Sequence, residues 1–251
     1  EIAAGMGADI IVLDRYDSLK PDINNAPPEI ISAQEPLKEY KRLLGRPVGI
    51  NMVVANPKAD SQLSGRLVND ANVERAVTQG ADIIFLYSRP QIGGTPKKMK
   101  IAAKALYQQY GENVMIVGVP SFTTPPPRTS DMAILFSQET RALLDAGCHA
   151  IGLPMPGSHQ GWQLEFTADV IDSIHQDGGL AWLFVTGSVE GSPKEMLVQM
   201  ALNAKMLGAD AYRLDEAGLS GMPLPENILT FSLAIRGARH TYWRMASSIL
   251  R

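Results

Sequence analysis

The chain has 251 residues, of which 45% are hydrophobic and 20% are charged, and its net charge at pH 7 is −3. This is enough sequence for one large α/β domain or two small ones. The acidic balance argues against nucleic acid and an anionic membrane surface as partners, and no apolar run reaches the roughly 18 residues of a membrane span. Cys148 is the only cysteine, which excludes an intrachain disulfide and fits a reducing cytoplasm.

The first residues, "EIAAGMGADI", have the pattern of a helix end that runs into a strand. We therefore expect further residues upstream of Glu1. The start lacks the charged and then apolar leader of a signal peptide.

A short unit recurs along the chain in four places: "GMGADIIVLDR", "TQGADIIFLYS", "DAGCHAIGLPM" and "MLGADAYRLDE". Each copy places a glycine after an amphipathic helix, and a short apolar run follows it. A glycine in this position is typical of a left-handed residue that ends a helix. The apolar runs predict strands buried on both faces. The anchoring glycines are Gly7, Gly80, Gly147 and Gly208.

Three strands of a second type lie between these copies: "RPVGINMVV", "ENVMIVGVP" and "GGLAWLFVTG". Helical stretches separate the strands, and strand–helix alternation predicts a parallel sheet. The predicted helices are Pro36–Leu44, Val73–Gln79, Lys97–Tyr110, Met132–Ala146, Phe166–Gln176, Pro193–Leu207 and Pro225–Leu250.

Two folds fit this alternation, a doubly wound sheet and a (β/α)₈ TIM barrel, and three observations favour the barrel. The two strand types alternate, and the series of seven predicted strands begins and ends with the type that follows an anchoring glycine. One further strand of the other type, upstream of Glu1, would complete a ring of eight. The two-strand repeat suits a barrel built from quarter units. The loops after strands are long and the loops before strands are short, as in barrel enzymes. We predict a single TIM-barrel domain over residues 1–251 whose first strand lies upstream.

The strand ends supply the candidate catalytic residues. The residues seven positions after the four anchoring glycines are Asp14, Tyr87, Pro154 and Asp215. We predict that these four side chains face inward as one layer at the mouth of the barrel and that Arg213 lies one layer deeper. A buried charge needs a partner, and the candidates for Arg213 are Asp14 and Asp215. Two carboxylates at one mouth can hold Mg²⁺ or divide acid and base roles. Helix capping or pairing with arginine would also explain them. Asn51 is a third candidate.

Two glycine-rich loops are predicted to bind phosphate. In the numbering of a complete barrel they follow strands seven and eight, where many barrels bind a phosphate group. Ser192-Pro193 also has the pattern of a helix N-cap and first helical residue, which would explain both residues without a ligand. Arg15 is a further candidate for an anionic substrate, and His159 is a weaker one. The predicted phosphate-binding residues are Gly187, Ser188, Gly191, Ser192, Gly218, Ser220, Gly221 and Arg15.

Four stretches carry a resemblance that spans nearly the whole chain: "IIVLDRYD", "RPVGINMVVANP", "TGSVEGSPKEMLVQMALNAKMLGAD" and "PENILTFSLAIRGARHTYWRMA". They resemble an uncharacterised bacterial family of barrels labelled phosphoenolpyruvate phosphonomutase-like or haloacid-dehalogenase-like. The resemblance implies a barrel and, through the first label, an anionic substrate. It implies no established reaction. The dehalogenase label does not fit the residues, because its Asp-x-Asp motif is absent and Asp14 and Asp17 are three positions apart.

These observations predict an enzyme of isomerase or lyase type that acts on a small phosphorylated metabolite. No assigned strand ends in lysine, which disfavours Schiff-base chemistry, and no histidine pair has zinc-ligand spacing. One alternative is a non-catalytic barrel that binds a phosphorylated ligand, as a sensor or an assembly subunit. Metal-dependent phosphate ester hydrolysis is a weaker alternative. The expected location is cytoplasmic, and a homo-oligomer is compatible with the sequence.

Overall fold

The computed structural model describes residues 1–24, 26–56, 61–120, 130–215 and 221–247. The chain divides into two compact units. The β1–β4 unit comprises Ile10–Ser121, Asp145–His149 and residues 248–251, and the β5–β7 unit comprises Glu1–Asp9, Phe122–Leu144 and Ala150–Ser247. The prediction of a single domain over residues 1–251 stays a prediction.

Four parallel strands form the centre of the β1–β4 unit, and each pairs with the next one along the chain. Every residue of β2 is buried, as expected for a parallel strand that is covered on both faces. The strands are β1 (Ile11–Leu13), β2 (Val48–Val54), β3 (Ile83–Ser88) and β4 (Met115–Val119).

Two of the four helices in this unit begin at a side-chain cap. The Asn69 side chain accepts a hydrogen bond from the Asn72 N–H, and the Thr95 side chain accepts one from the Lys98 N–H. Each bond satisfies a backbone donor that the first helical turn leaves without a partner. The helices are α2 (Pro28–Ile31), α3 (Pro36–Leu44), α4 (Asp70–Thr78) and α5 (Pro96–Tyr110), and 3₁₀ segments cover Ser61–Arg66 and Pro90–Ile92.

The β5–β7 unit contains three parallel strands, again paired in chain order: β5 (Ala150–Pro154), β6 (Leu180–Val185) and β7 (Ala211–Leu214). Gly237 has a non-helical backbone and interrupts the last helix. The helices are α1 (Ile2–Gly5), α6 (Ser130–Leu144), α7 (Leu164–Gln176), α8 (Lys194–Met206) and α9 (Pro225–Ala246), with a 3₁₀ segment at Val189–Gly191.

The four anchoring glycines adopt the predicted conformation. Their φ angles are +98° at Gly7, +109° at Gly80, +100° at Gly147 and +83° at Gly208. Each lies two or three residues beyond the end of a helix, where a left-handed residue ends helical hydrogen bonding. The prediction that these glycines end helices is confirmed.

The α/β class and the parallel strands are also confirmed. A doubly wound sheet reverses its strand order around the first strand, whereas β1 to β4 follow one another in chain order. Within the described residues there are seven strands, one fewer than in a (β/α)₈ barrel. The complete barrel with an upstream first strand therefore stays a prediction.

Candidate functional site

Asp14 and Asn51 meet at the carboxyl ends of β1 and β2. Leu13 of β1 is in register with Ile50 of β2, so the next residue of each strand lies on the same face. The Asn51 side-chain amide donates a hydrogen bond to the Asp14 carboxylate. Asn51 is buried and Asp14 is exposed. Two of the three predicted catalytic residues are therefore neighbours, and the buried amide holds one oxygen of the exposed carboxylate.

Asp215 lies in the β5–β7 unit, and its partner there is Arg213. The Arg213 Nε is 2.6 Å from the Asp215 Oδ1, and the exposed fractions of the two side chains are 7% and 25%. The Arg213 guanidinium also lies 5.2 Å from the centre of the Phe184 ring, within the range of a cation–π interaction. The expectation that a carboxylate accompanies Arg213 is confirmed, and that carboxylate is Asp215. The ion pair explains the position of Asp215 without a substrate.

A tight turn follows β6 at the first predicted phosphate loop. Gly187 and Ser188 both have positive φ, +72° and +69°, and both are exposed. Within the described part of the chain their N–H groups donate no backbone hydrogen bond. Exposed N–H groups in a turn can bind an anion. A Cβ on Gly187 would lie 3.4 Å from the Ser158 carbonyl oxygen and 3.5 Å from His159 Cε1, so this turn lies against the loop that follows β5.

The other predicted phosphate ligands differ from this pair. Gly191 ends the 3₁₀ segment and, unlike Gly187, has no positive φ. Gly221 is exposed with φ +74°, and Gly218 and Ser220 lie outside the described residues. The prediction that Ser192 caps a helix starting at Pro193 is wrong. Pro193 has an extended ψ of 147° and occupies the N-cap position itself, so the helix begins at Lys194.

Asn227 of α9 holds the loop after β6, and sequence reasoning missed it. Its buried side-chain amide donates to the Glu190 carbonyl at 2.8 Å and to the Ser192 carbonyl at 3.2 Å. The two carbonyls flank the exposed Gly191. The only sequence signal was an asparagine in the first turn of a predicted helix, a pattern that does not name its partners.

His159, the weaker of the predicted loop candidates, lies beside the first predicted phosphate loop. Its Nδ1 is 3.2 Å from the Ser158 hydroxyl oxygen, and Gly187 lies beside its ring. Burial lowers the pKa of His159, and the negative charge of Asp215 partly opposes that shift. A histidine with a lowered pKa is neutral at pH 7 and can accept a proton. His159, Asp215 and the Gly187–Ser188 turn thus belong to one neighbourhood.

Arg66 adds a charge to the Asp14 neighbourhood in the β1–β4 unit. Its terminal Nη2 donates to the Asp14 carbonyl oxygen at 2.9 Å. Arg15, the predicted anion ligand, is exposed next to Asp14.

The surroundings of Asp14 and those of Asp215 and His159 belong to different units, and Mg²⁺ binding by Asp14 or Asp215 stays a prediction. No group of three or more His, Cys, Asp or Glu side chains suited to a metal occurs among the described residues, but Mg²⁺ often takes only one or two protein carboxylates.

A family model described as "Domain of unknown function (DUF7916)" matches residues 1–251. The chain belongs to this family. The description of the DUF7916 family carries neither the phosphonomutase nor the dehalogenase label of the resemblance. No curated protein matches the chain. Within the described residues, no helix has the length and apolar character needed to cross a membrane.

Solved structures similar to this DUF7916 chain are TIM-barrel-like. The Amycolatopsis orientalis BexX/CysO complex matches with a TM-score of 0.55 and 16% identity over 99% of this chain and 85% of that one. An archaeal fructose 1,6-bisphosphate aldolase matches with a TM-score of 0.55 and 10% identity over 93% and 81%. The carboxyl transferase domain of Rhizobium etli pyruvate carboxylase has a TM-score of 0.54 and 14% identity over 100% and 45%. At these identities the likeness shows a shared fold.

Proposed function

We propose that the chain is an enzyme of lyase or isomerase type that acts on a small phosphorylated metabolite. In this proposal the loops after β6 and β7 bind the phosphate group of the metabolite. These two strands correspond to the seventh and eighth strands of a complete barrel. The observation that carries the proposal is the exposed Gly187–Ser188 turn beside His159 and close to the charge of Asp215. Two of the similar structures, an aldolase and a carboxyl transferase domain, are compatible with lyase chemistry on this fold.

The turn suits a phosphate group for two reasons. The N–H groups of Gly187 and Ser188 are available as donors, and the exposed Ser188 hydroxyl adds a third one. The amide of Asn227 fixes the far side of the loop through two carbonyls. A fixed loop presents its donors without reorganisation when the ligand binds, which favours affinity.

His159 is the residue that we assign to proton transfer. Its neutral imidazole accepts a proton from the bound metabolite, and the nearby Asp215 carboxylate stabilises the imidazolium that forms. Asp215 is held in place by Arg213 through the 2.6 Å ion pair. In this proposal Asp215 is a positioning residue for His159. Asp14 and Asn51 stay candidates for acid–base work or for a Mg²⁺ ion within their own unit.

The non-catalytic alternative keeps one observation in its favour. Pro154 of β5 occupies one of the four positions of the predicted catalytic layer and carries no titratable group. A sensor needs only the phosphate loop and would use His159 for packing. Turnover separates the two functions, because a sensor binds the ligand without consuming it.

The test is a thermal-shift screen of phosphorylated metabolites, with and without Mg²⁺, followed by turnover assays on each hit. Ser188→Gly keeps the left-handed conformation, because glycine tolerates positive φ, and removes the CH₂OH side chain with its hydroxyl donor. We expect it to weaken ligand binding by roughly tenfold, the equivalent of one lost hydrogen bond to a charged group. His159→Gln should abolish turnover and leave binding within about twofold.

Half-buried Ser247 is the C-cap residue of α9, and Ser247→Gly serves as the control serine substitution. The phosphate proposal fails if no phosphorylated compound raises the melting temperature, or if Ser188→Gly and Ser247→Gly bind the hit equally well. Binding without turnover in the wild-type chain would instead establish the sensor.

A further inference from the structure

Three arginines lie just beyond the carboxyl ends of neighbouring strands in the β1–β4 unit. Arg15 follows β1 by two residues, and Arg89 directly follows β3. Arg66 ends the 3₁₀ segment Ser61–Arg66, and the next residue, Leu67, forms a parallel bridge with Val53 of β2. Because β1, β2 and β3 are parallel and adjacent, their carboxyl ends share one edge of the sheet.

Arg66 is the central member of this group. It is half-buried, and its Nη2 donates to the Asp14 carbonyl oxygen at 2.9 Å. Its Nε is buried and has no hydrogen-bond partner among the described residues. A buried guanidinium N–H without an acceptor is unfavourable, because the loss of its hydration is not offset by a hydrogen bond. An anion that accepts this bond would remove the penalty.

The charges around Arg66 do not cancel. Burial is the main cause that lowers the pKa of Arg66, and the positive charges of Arg89 and Arg15 lower it further, whereas Asp14 and Asp17 raise it. The three guanidinium groups and two carboxylates carry a net charge of +1 by this count. Within the described part of the chain, none of these arginines forms a salt bridge.

The two carboxylates are already engaged by other groups. The Asn51 amide donates to the Asp14 carboxylate, and the Asp17 Oδ1 accepts the Leu19 N–H at 2.8 Å. Like charges gathered at one edge repel each other unless an anion lies between them. Guanidinium groups bind carboxylate and phosphate through paired N–H donors.

We propose that Arg15, Arg66 and Arg89 form an oxyanion-binding subsite that takes a carboxylate or phosphate group of a small ligand. The three arginines belong to the β1–β4 unit and the loop after β6 belongs to the β5–β7 unit, and this proposal stands whether or not that loop binds phosphate. The subsite supplies a second anion-recognition point in the chain, provided by arginine side chains instead of backbone N–H groups.

The experiment is isothermal titration of the full chain with inorganic phosphate and with malonate, a dicarboxylate, at constant ionic strength. Arg15 and Arg89 are exposed, so the double variant Arg15→Gln/Arg89→Gln should fold, which its melting temperature will verify. We expect this variant to weaken binding by on the order of tenfold or more. The anion that loses affinity identifies the class of group that the subsite prefers.

Arg42→Gln is the matched control, because Arg42 is an exposed arginine of the same unit that is paired with Glu39. It should leave the affinity within about twofold. Ser188→Gly separates this subsite from the loop after β6, and it should not weaken the anion that the arginines bind. The proposal is overturned if neither anion binds the wild-type chain. It is also overturned if the double variant binds as tightly as Arg42→Gln, or if only Ser188→Gly weakens binding.

Discussion

Asp14 and Asp215 have the same position in the sequence repeat, seven residues after an anchoring glycine, but their surroundings differ. Asp215 pairs with the buried Arg213 at 2.6 Å, whereas Asp14 is exposed and takes a hydrogen bond from an amide. Removing a carboxylate that neutralises a buried guanidinium leaves an uncompensated charge, so Asp215 has a structural role that Asp14 lacks. Equivalent residues in a repeat therefore need not share a function.

The coupling between Asp215 and His159 can be measured directly. The negative charge of Asp215 raises the pKa of His159 against the effect of burial. Asp215→Asn should therefore lower the pKa of His159 further, so that the ring stays neutral to a more acidic pH. An NMR titration of the imidazole signals measures this value.

Asp172→Asn is the control for that titration, because Asp172 is an exposed carboxylate of α7 in the same unit. It should leave the pKa of His159 unchanged. An unchanged pKa in Asp215→Asn would remove Asp215 from the neighbourhood of the ring and from the proposed proton transfer.

At the scale of the elements, the anchoring glycines set where helices end and strands begin. Their positive φ makes each of them hard to replace, but their packing differs. A Cβ on Gly147 would overlap the Tyr107 ring, whereas a Cβ on Gly208 would meet only His175 Cε1 at 3.9 Å. The same backbone conformation thus carries two different steric constraints.

This difference predicts unequal effects of one substitution. Gly208→Ala should lower the free energy of unfolding by about 1–2 kcal/mol, the penalty of the left-handed conformation alone. Gly147→Ala should lower it by roughly a further 1–3 kcal/mol, because the methyl group would force the ring to move. Urea denaturation of both variants measures the two values, and equal losses would show that the Tyr107 ring relaxes without strain.

At the scale of the whole molecule, the chain divides into two compact units, although its sequence has no linker. Its three tryptophans, Trp162, Trp182 and Trp243, all lie in the β5–β7 unit. Tryptophan fluorescence therefore reports on that unit, and far-ultraviolet circular dichroism reports on the helices and strands of both.

If residues 1–251 form one cooperative domain, urea unfolding followed by both signals should give a single coincident transition. Coincidence of two probes is the mark of two-state unfolding. Separate midpoints would mean that the units unfold independently, and the single-domain prediction would then be wrong.

The sequence by itself determined the class of the fold and most of its elements. Helix α3 spans Pro36–Leu44 as predicted, and the glycine repeat marked four strand starts, because periodicity and left-handed glycines are local properties. Only the tertiary structure decided the site. The contact of Gly187 with the loop of His159 and the hydrogen bond from Asn227 to the loop after β6 join residues far apart in sequence. The sequence left the partner of Arg213 open between Asp14 and Asp215, and the structure shows the ion pair with Asp215. Burial and charge, which set the pKa of His159, arise only when those loops pack together.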